Sequence, residues 1–101
     1  MKLTKEQMNI ELAEIRTYYM MKRTLDESVT EFEEMFQLLD KYLKIIKKAP
    51  IKLKGYFVER YENGSNASQM AEKWEVSNSY VANLKREFFK FVFENLNKED
   101  N

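Results

Sequence analysis

The chain has 101 residues, 44% hydrophobic and 14% aromatic, enough for one domain with a compact core rather than a disordered segment. It contains no cysteine and no histidine, which excludes disulfides and thiolate chemistry and removes the usual zinc ligands and the commonest general base. Its 17 basic and 17 acidic side chains cancel, so any attraction to an anionic partner has to come from how the charges are distributed.

That distribution is uneven. Residues 1–40 carry five basic and nine acidic side chains and residues 41–101 carry twelve and eight, so the two parts differ in sign, −4 against +4. Between 41 and 60, Lys41, Lys44, Lys47, Lys48, Lys52, Lys54 and Arg60 are opposed only by Glu59. The opening M-K-L-T-K-E-Q has no apolar signal core, and no run approaches the length of a membrane span. The expectation is a cytoplasmic protein with no membrane segment, metal or cofactor. With no Gly-rich phosphate loop and no isolated carboxylate pair, the sequence also points away from an enzyme.

Hydrophobic periodicity predicts an all-α fold. Thr4 and Gln7 have the spacing of a capping box, so a first helix is predicted from Lys5, with Met8, Leu12, Ile15 and Tyr19 as its buried stripe and Ile10, Tyr18, Met20 and Met21 broadening it toward a second face. The phase breaks at Lys22 and Asp26, which predicts a turn or kink near Lys22–Thr24, followed by a cap from Thr24 with Glu27 or Ser28 with Glu31. Leu25, Val29, Phe32, Phe36, Leu39, Leu43 and Ile46 then alternate steps of four and three, and Met35, Tyr42 and Ile45 widen that stripe. This repeat suits a coiled-coil-like seam, against the first helix or against another copy of the chain. Its outer face runs from acidic to basic, the order that a helix dipole favours.

Pro50 ends that helix and opens the next, to which Ile51, Leu53, Tyr56, Phe57 and Tyr61 supply an apolar face. Gly55 either weakens this helix or admits a neighbouring backbone, and Glu62–Ser65 is a turn by its chemistry. The organisation expected is an N-terminal helical hairpin or coiled-coil-like pair over residues 1–49. A corner of two helices and a long C-terminal helix follow over 50–101. Four phenylalanines between 88 and 93 make that last helix apolar over most of its circumference, so the N-terminal helices or a partner chain must cover it. The tail from Asn97 is expected to fray.

The most informative stretch runs from Ser65 to Arg86. Met70, Ala71 and Trp74 form the inner face of one short helix, Val76 lies in a corner, and Val81 and Leu84 form the inner face of a second helix. Ala71 falls where the two axes come closest, and a larger side chain there would push them apart. Ser77 is placed to cap the second helix. That helix leaves Asn78, Ser79, Tyr80, Asn83, Lys85 and Arg86 outside, a set of hydrogen-bonding and cationic groups with no acid among them.

These spacings around Ala71 resemble a helix-turn-helix, although Glu75 stands in the corner where that family usually has glycine. From Tyr56 to Leu96 the segments Y-F-V-E-R-Y-E-N-G-S, A-E-K-W-E-V-S-N-S-Y-V and L-K-R-E-F-F-K-F resemble the region-4-like helix-turn-helix of bacterial sigma factors. They are also similar to the C-terminal part of small phage transcription regulators of the ArpU and RinA type. The resemblance implies a promoter-binding regulator from a phage or mobile element, with a recognition helix over about 78–93. It assigns base reading to Asn78, Ser79, Asn83 and Arg86, backbone or base-edge contact to Ser77 and Tyr80, and phosphate contact to Ser65 and Ser68.

Phosphate neutralisation would fall to Lys85 and Arg86, with Lys73, Arg60 and part of Lys44–Lys54 in support. One such module buries only about 600–1,000 Å², so double-stranded DNA would be bound by a homodimer or by a protein docked on RNA polymerase. The competing expectation is a helical protein-interaction module that binds RNA polymerase or another regulator without touching DNA.

Overall fold

The first helix, α1 (Lys5–Thr24), begins at the predicted capping box. The Gln7 amide donates to Thr4 Oγ1 at 3.1 Å and the Thr4 amide to Gln7 Oε1 at 2.9 Å, satisfying two donors that a helix start leaves open. The remaining elements are α2 (Glu33–Lys47), α3 (Ile51–Phe57), a π-helical stretch (Val58–Glu62), α4 (Ala67–Trp74) and α5 (Asn78–Glu99). The structure is a computed structural model and describes residues 3–24 and 33–99. The fold is all-α, and no helix among the described residues is long and apolar enough to cross a membrane.

In α1 the buried stripe is Met8, Leu12, Ile15 and Tyr18, one residue short of the expected Tyr19. Tyr19 sits at the margin, where its hydroxyl donates to Glu62 Oε1 at 3.4 Å and burial, with the Glu62 carboxylate, pushes its pKa up to about 12. Lys22–Thr24, where a turn or kink is expected, are still helical in α1. Leu25, Val29, Phe32 and both caps expected for the next helix lie outside the described residues.

The strict seam expected for α2 is not what packs. Leu39, Tyr42, Ile45, Ile46 and Ala49 are buried, whereas Phe36 and Leu43 are 55% and 38% exposed. Tyr42 takes the inward place because its phenol has a partner there: the hydroxyl donates to Glu11 Oε1 of α1 at 2.6 Å. A fully buried ring with its polar end satisfied displaces the leucine to the margin. Burial and the Glu11 carboxylate together keep this phenol protonated.

Pro50 stands just before α3, with its carbonyl accepting from the amides of Leu53 and Lys54. Helix α3 buries Leu53, Tyr56 and Phe57 but leaves Ile51 85% exposed, so Ile51 does not join the apolar face as expected. Ile51 is in the first turn, where the chain has only just left Pro50. No neighbour lies within 4 Å of a Cβ built on Gly55, so no close backbone approach requires that glycine. The helix then widens over Val58–Glu62, where the Asn63 amide reaches back to the Val58 carbonyl at 2.8 Å.

Helix α5 supplies Val81, Leu84, Phe88, Val92 and Leu96 to a core shared with all the other helices. Phe88 is fully buried, and its ring centre lies 5.1 Å from Tyr56, 6.3 Å from Phe57 and 5.8 Å from Tyr61. The apolar C-terminal helix is thus covered on its inner side by α3 and the π-helical stretch, with α2 and α4 also against it. Of the tail expected to fray, Asn97, Lys98 and Glu99 are helical in α5 and the last two residues lie outside the described ones; Asn97 Oδ1 accepts from the Leu3 amide at 2.9 Å, tying the start of α1 to the end of α5.

Phe88→Ala should therefore cost about 3–5 kcal/mol in urea unfolding. Leu43→Ala, in the original heptad but at the margin, should cost less than about 1 kcal/mol; equal losses would contradict this packing.

Candidate nucleic-acid interface

Helix α4 is capped by Asn66, directly after the turn that the sequence places at Glu62–Ser65. The Gln69 amide donates to Asn66 Oδ1 at 2.8 Å and the Asn66 amide to Gln69 Oε1 at 2.8 Å, a second capping box that the sequence carries as N-x-x-Q. Met70 and Ala71 are buried and Trp74 and Val76 partly so. The corner turns on Glu75, whose φ of 54° and ψ of 47° are left-handed, and the Val76 amide closes it on the Ala71 carbonyl at 3.0 Å. This is the conformation that glycine usually supplies, achieved by a residue with a Cβ. The next helix begins on the expected cap: the Tyr80 amide donates to Ser77 Oγ at 3.1 Å.

With Val81 and Leu84 buried behind it, the first part of α5 exposes Asn78, Ser79, Tyr80, Asn83, Lys85 and Arg86. The structure brings these six together on one stretch of helix, next to the exposed Ser77. Ser68 is also exposed, in the first turn of α4. Ser65 is placed differently. It is half-buried, its hydroxyl donates to Glu59 Oε1 at 3.1 Å, and its amide donates to the Glu59 carbonyl at 2.7 Å.

Glu59 is the group that sequence reasoning missed. Only 8% exposed, it receives Lys73 Nζ at 2.6 Å, Ser65 Oγ at 3.1 Å and Asn63 Nδ2 at 3.2 Å, so one carboxylate joins the π-helical stretch, the turn and α4. The Lys73 ammonium first, then Ser65, outweigh the opposing effect of burial and hold its carboxyl below the ordinary 4.5. The turn itself needs Gly64, with φ of 74°, and Arg23 from α1 donates to the Glu62 carbonyl beside it.

The basic block is also less free than its sequence suggests. Lys41 pairs with Glu11 at 3.0 Å, Lys44 with Asp40 at 3.1 Å and Lys52 with Glu87 at 2.7 Å. Lys73 belongs to Glu59, and Arg60 donates to the Ser65 carbonyl. Lys85, Arg86 and Lys90 of α5 have no carboxylate partner among the described residues. Because Lys52 engages Glu87, the carboxylate nearest to them along the helix is already compensated. No group of three or more metal-ligating side chains occurs among the described residues. No protein-family model, curated protein or solved structure matches the chain.

Glu75→Gly should raise stability by about 1 kcal/mol in denaturant unfolding, by relieving a left-handed residue of its Cβ; a destabilised variant would contradict the corner geometry. Glu59→Gln should cost about 1–2 kcal/mol at neutral pH, at the low end for charged hydrogen bonds because Lys73 is 59% exposed. Since the folded state lowers this carboxyl's pKa, its contribution is complete above pH 4.5 and is lost as pH falls through the folded-state value. The gap between wild type and Glu59→Gln in thermal unfolding should therefore narrow on acidification, and a constant gap would exclude the ionised hub.

Proposed function

We propose that α4 and α5 form the helix-turn-helix of a sequence-specific, DNA-binding transcription regulator, with α5 entering the major groove. The observation that carries this reading is the exposed set Asn78, Ser79, Asn83 and Arg86 on a helix whose opposite side is clamped by Val81 and Leu84. Asn pairs bidentately with adenine and Arg with guanine, each worth about 1–3 kcal/mol against a wrong base. Ser77 and Tyr80 contact the backbone or base edges, Ser68 faces a phosphate, and Lys85 and Arg86 neutralise phosphates. Ser65 contributes by fixing the entry to α4 through Glu59. The regulator's resemblance to sigma region 4 and to phage regulators of the ArpU and RinA type points to promoter DNA. Exposed Phe36 and Leu43 on α2 offer a surface through which two copies occupy neighbouring half-sites.

One observation favours a second reading. Beside the corner, Ile51, Trp74, Val76 and Tyr80 line an open cleft of about 270 Å³, and Ile51 and Tyr80 are exposed. Such an apolar cleft suits a side chain of a protein partner, such as RNA polymerase, bound with or without DNA.

Selection from a random duplex pool followed by mobility shift separates the two. Asn83→Ala should relax base preference at one position, whereas Lys85→Ala should weaken all sequences alike and lower the salt slope by about 1. Identical sequence profiles for the two variants would remove the readout assignment, and no retardation even at low salt would favour the interaction module.

A further inference from the structure

Between the first two turns of α1 and the middle of α5 runs an open groove of about 880 Å³. Met8, Phe89 and Phe93 give it an apolar floor, and Lys5, Lys85, Arg86 and Lys90 line its sides, with Glu94 as the one carboxylate in the lining. The first turns of α1 are held in place by the Thr4–Gln7 capping box and by the bond from the Leu3 amide to Asn97. Two of the cations already lie over the floor: Lys5 Nζ is 5.7 Å from the Phe93 ring centre and Lys85 Nζ is 5.8 Å from that of Phe89.

Four cations gather in this groove against a single carboxylate. Lys41, Lys44, Lys52 and Lys73 each meet a carboxylate, whereas the four cations here make no ion pair among the described residues. Positive charge therefore stands uncompensated beside aromatic surface. An inorganic anion would satisfy the ammonium groups and leave the rings wet. A neutral hydrocarbon would cover the rings and leave the cations without a partner. The volume is that of a site for a small organic molecule, and an apolar body on the floor would exclude water from one side of each ion pair, strengthening it.

We propose that this groove binds a small organic anion with an aromatic body, such as an aryl carboxylate, sulfonate or phosphate ester, its charge held between Lys5 of α1 and Lys90 of α5. The test uses the unmodified chain with 1-naphthalenesulfonate, followed by amide chemical shifts, against 1-naphthalenemethanol and inorganic sulfate. The sulfonate should bind saturably, roughly tenfold more tightly than either comparison compound. The shifted amides should be confined to the first turns of α1 and to residues 85–94. Lys5→Glu with Lys90→Glu, both at exposed positions, should weaken binding by roughly tenfold or more without moving the thermal unfolding midpoint. Equal affinity for the neutral alcohol, equal affinity for sulfate, or shifts scattered over the surface would each overturn the proposal. So would unchanged binding by a folded double variant; if that variant does not fold, the selectivity of the unmodified chain decides. No DNA enters the measurement, so its outcome is independent of the DNA-binding reading.

Discussion

The ring of Phe88 is the contact on which the arrangement depends. It lies against Tyr56, Phe57 and Tyr61, so a single side chain of α5 fixes that helix against both α3 and the π-helical stretch. Aromatic rings bury large area with few torsions to freeze, and a cluster of four sets rotation as well as distance. Rotation matters for the rest of α5. With Val81, Leu84, Phe88 and Val92 inward, a helix advancing about 100° per residue carries Ser79, Asn83, Arg86 and Lys90 to roughly the opposite side. The candidate reading surface is a consequence of how the core seats the helix, and it needs no separate device.

Glu59 does for α4 what Phe88 does for α5, by polar means. A helix as short as α4 (Ala67–Trp74) has little intrinsic stability and depends on how its ends are held. The start is closed by Asn66 with Gln69, and the side is anchored through Lys73 to a carboxylate that also holds Ser65 and Asn63. A buried carboxylate would be unfavourable with one partner, but three donors, one of them an ammonium at 2.6 Å, offset its desolvation. The widening of the chain over Val58–Glu62 lies at the same point. Together these contacts set where the corner at Glu75 falls relative to α3.

What the sequence revealed and what it hid divide along the range of the interaction. The Thr4–Gln7 box, the Ser77 cap, the stop at Pro50 and the left-handed corner at Glu75 each involve residues within one turn of each other, and each was legible. Asn66–Gln69 is equally local, and its N-x-x-Q spacing carries the start of α4 in the sequence. Tyr18 over Tyr19 and Tyr42 over Leu43 were not legible, because each choice depends on a partner from another element; for Tyr42 that partner is Glu11, 31 residues away. The lysine block misled for the same reason: counting charges along the chain between 41 and 60 omits Glu11, Asp40 and Glu87, which neutralise three of its members. The exposed set on α5 was legible because its inward residues are periodic, whereas the groove was not, since Lys5 and Lys90 are far apart in sequence.

Zero net charge is therefore a poor guide to the field at any one surface. The molecule extends 39 × 38 × 22 Å, several times the screening length of about 8 Å at physiological ionic strength. Charges at one end are nearly silent at the other. What an approaching anion meets near the middle of α5 is Lys85, Arg86 and Lys90, with Lys5 beyond them and Glu87 already occupied by Lys52. The many lysines of α2 and α3 matter less than their number suggests, since several are spent on carboxylates within the fold. Under the DNA-binding proposal, the few uncompensated cations of α5 would neutralise only a few phosphates, so the affinity of one domain would be low and would fall further with salt.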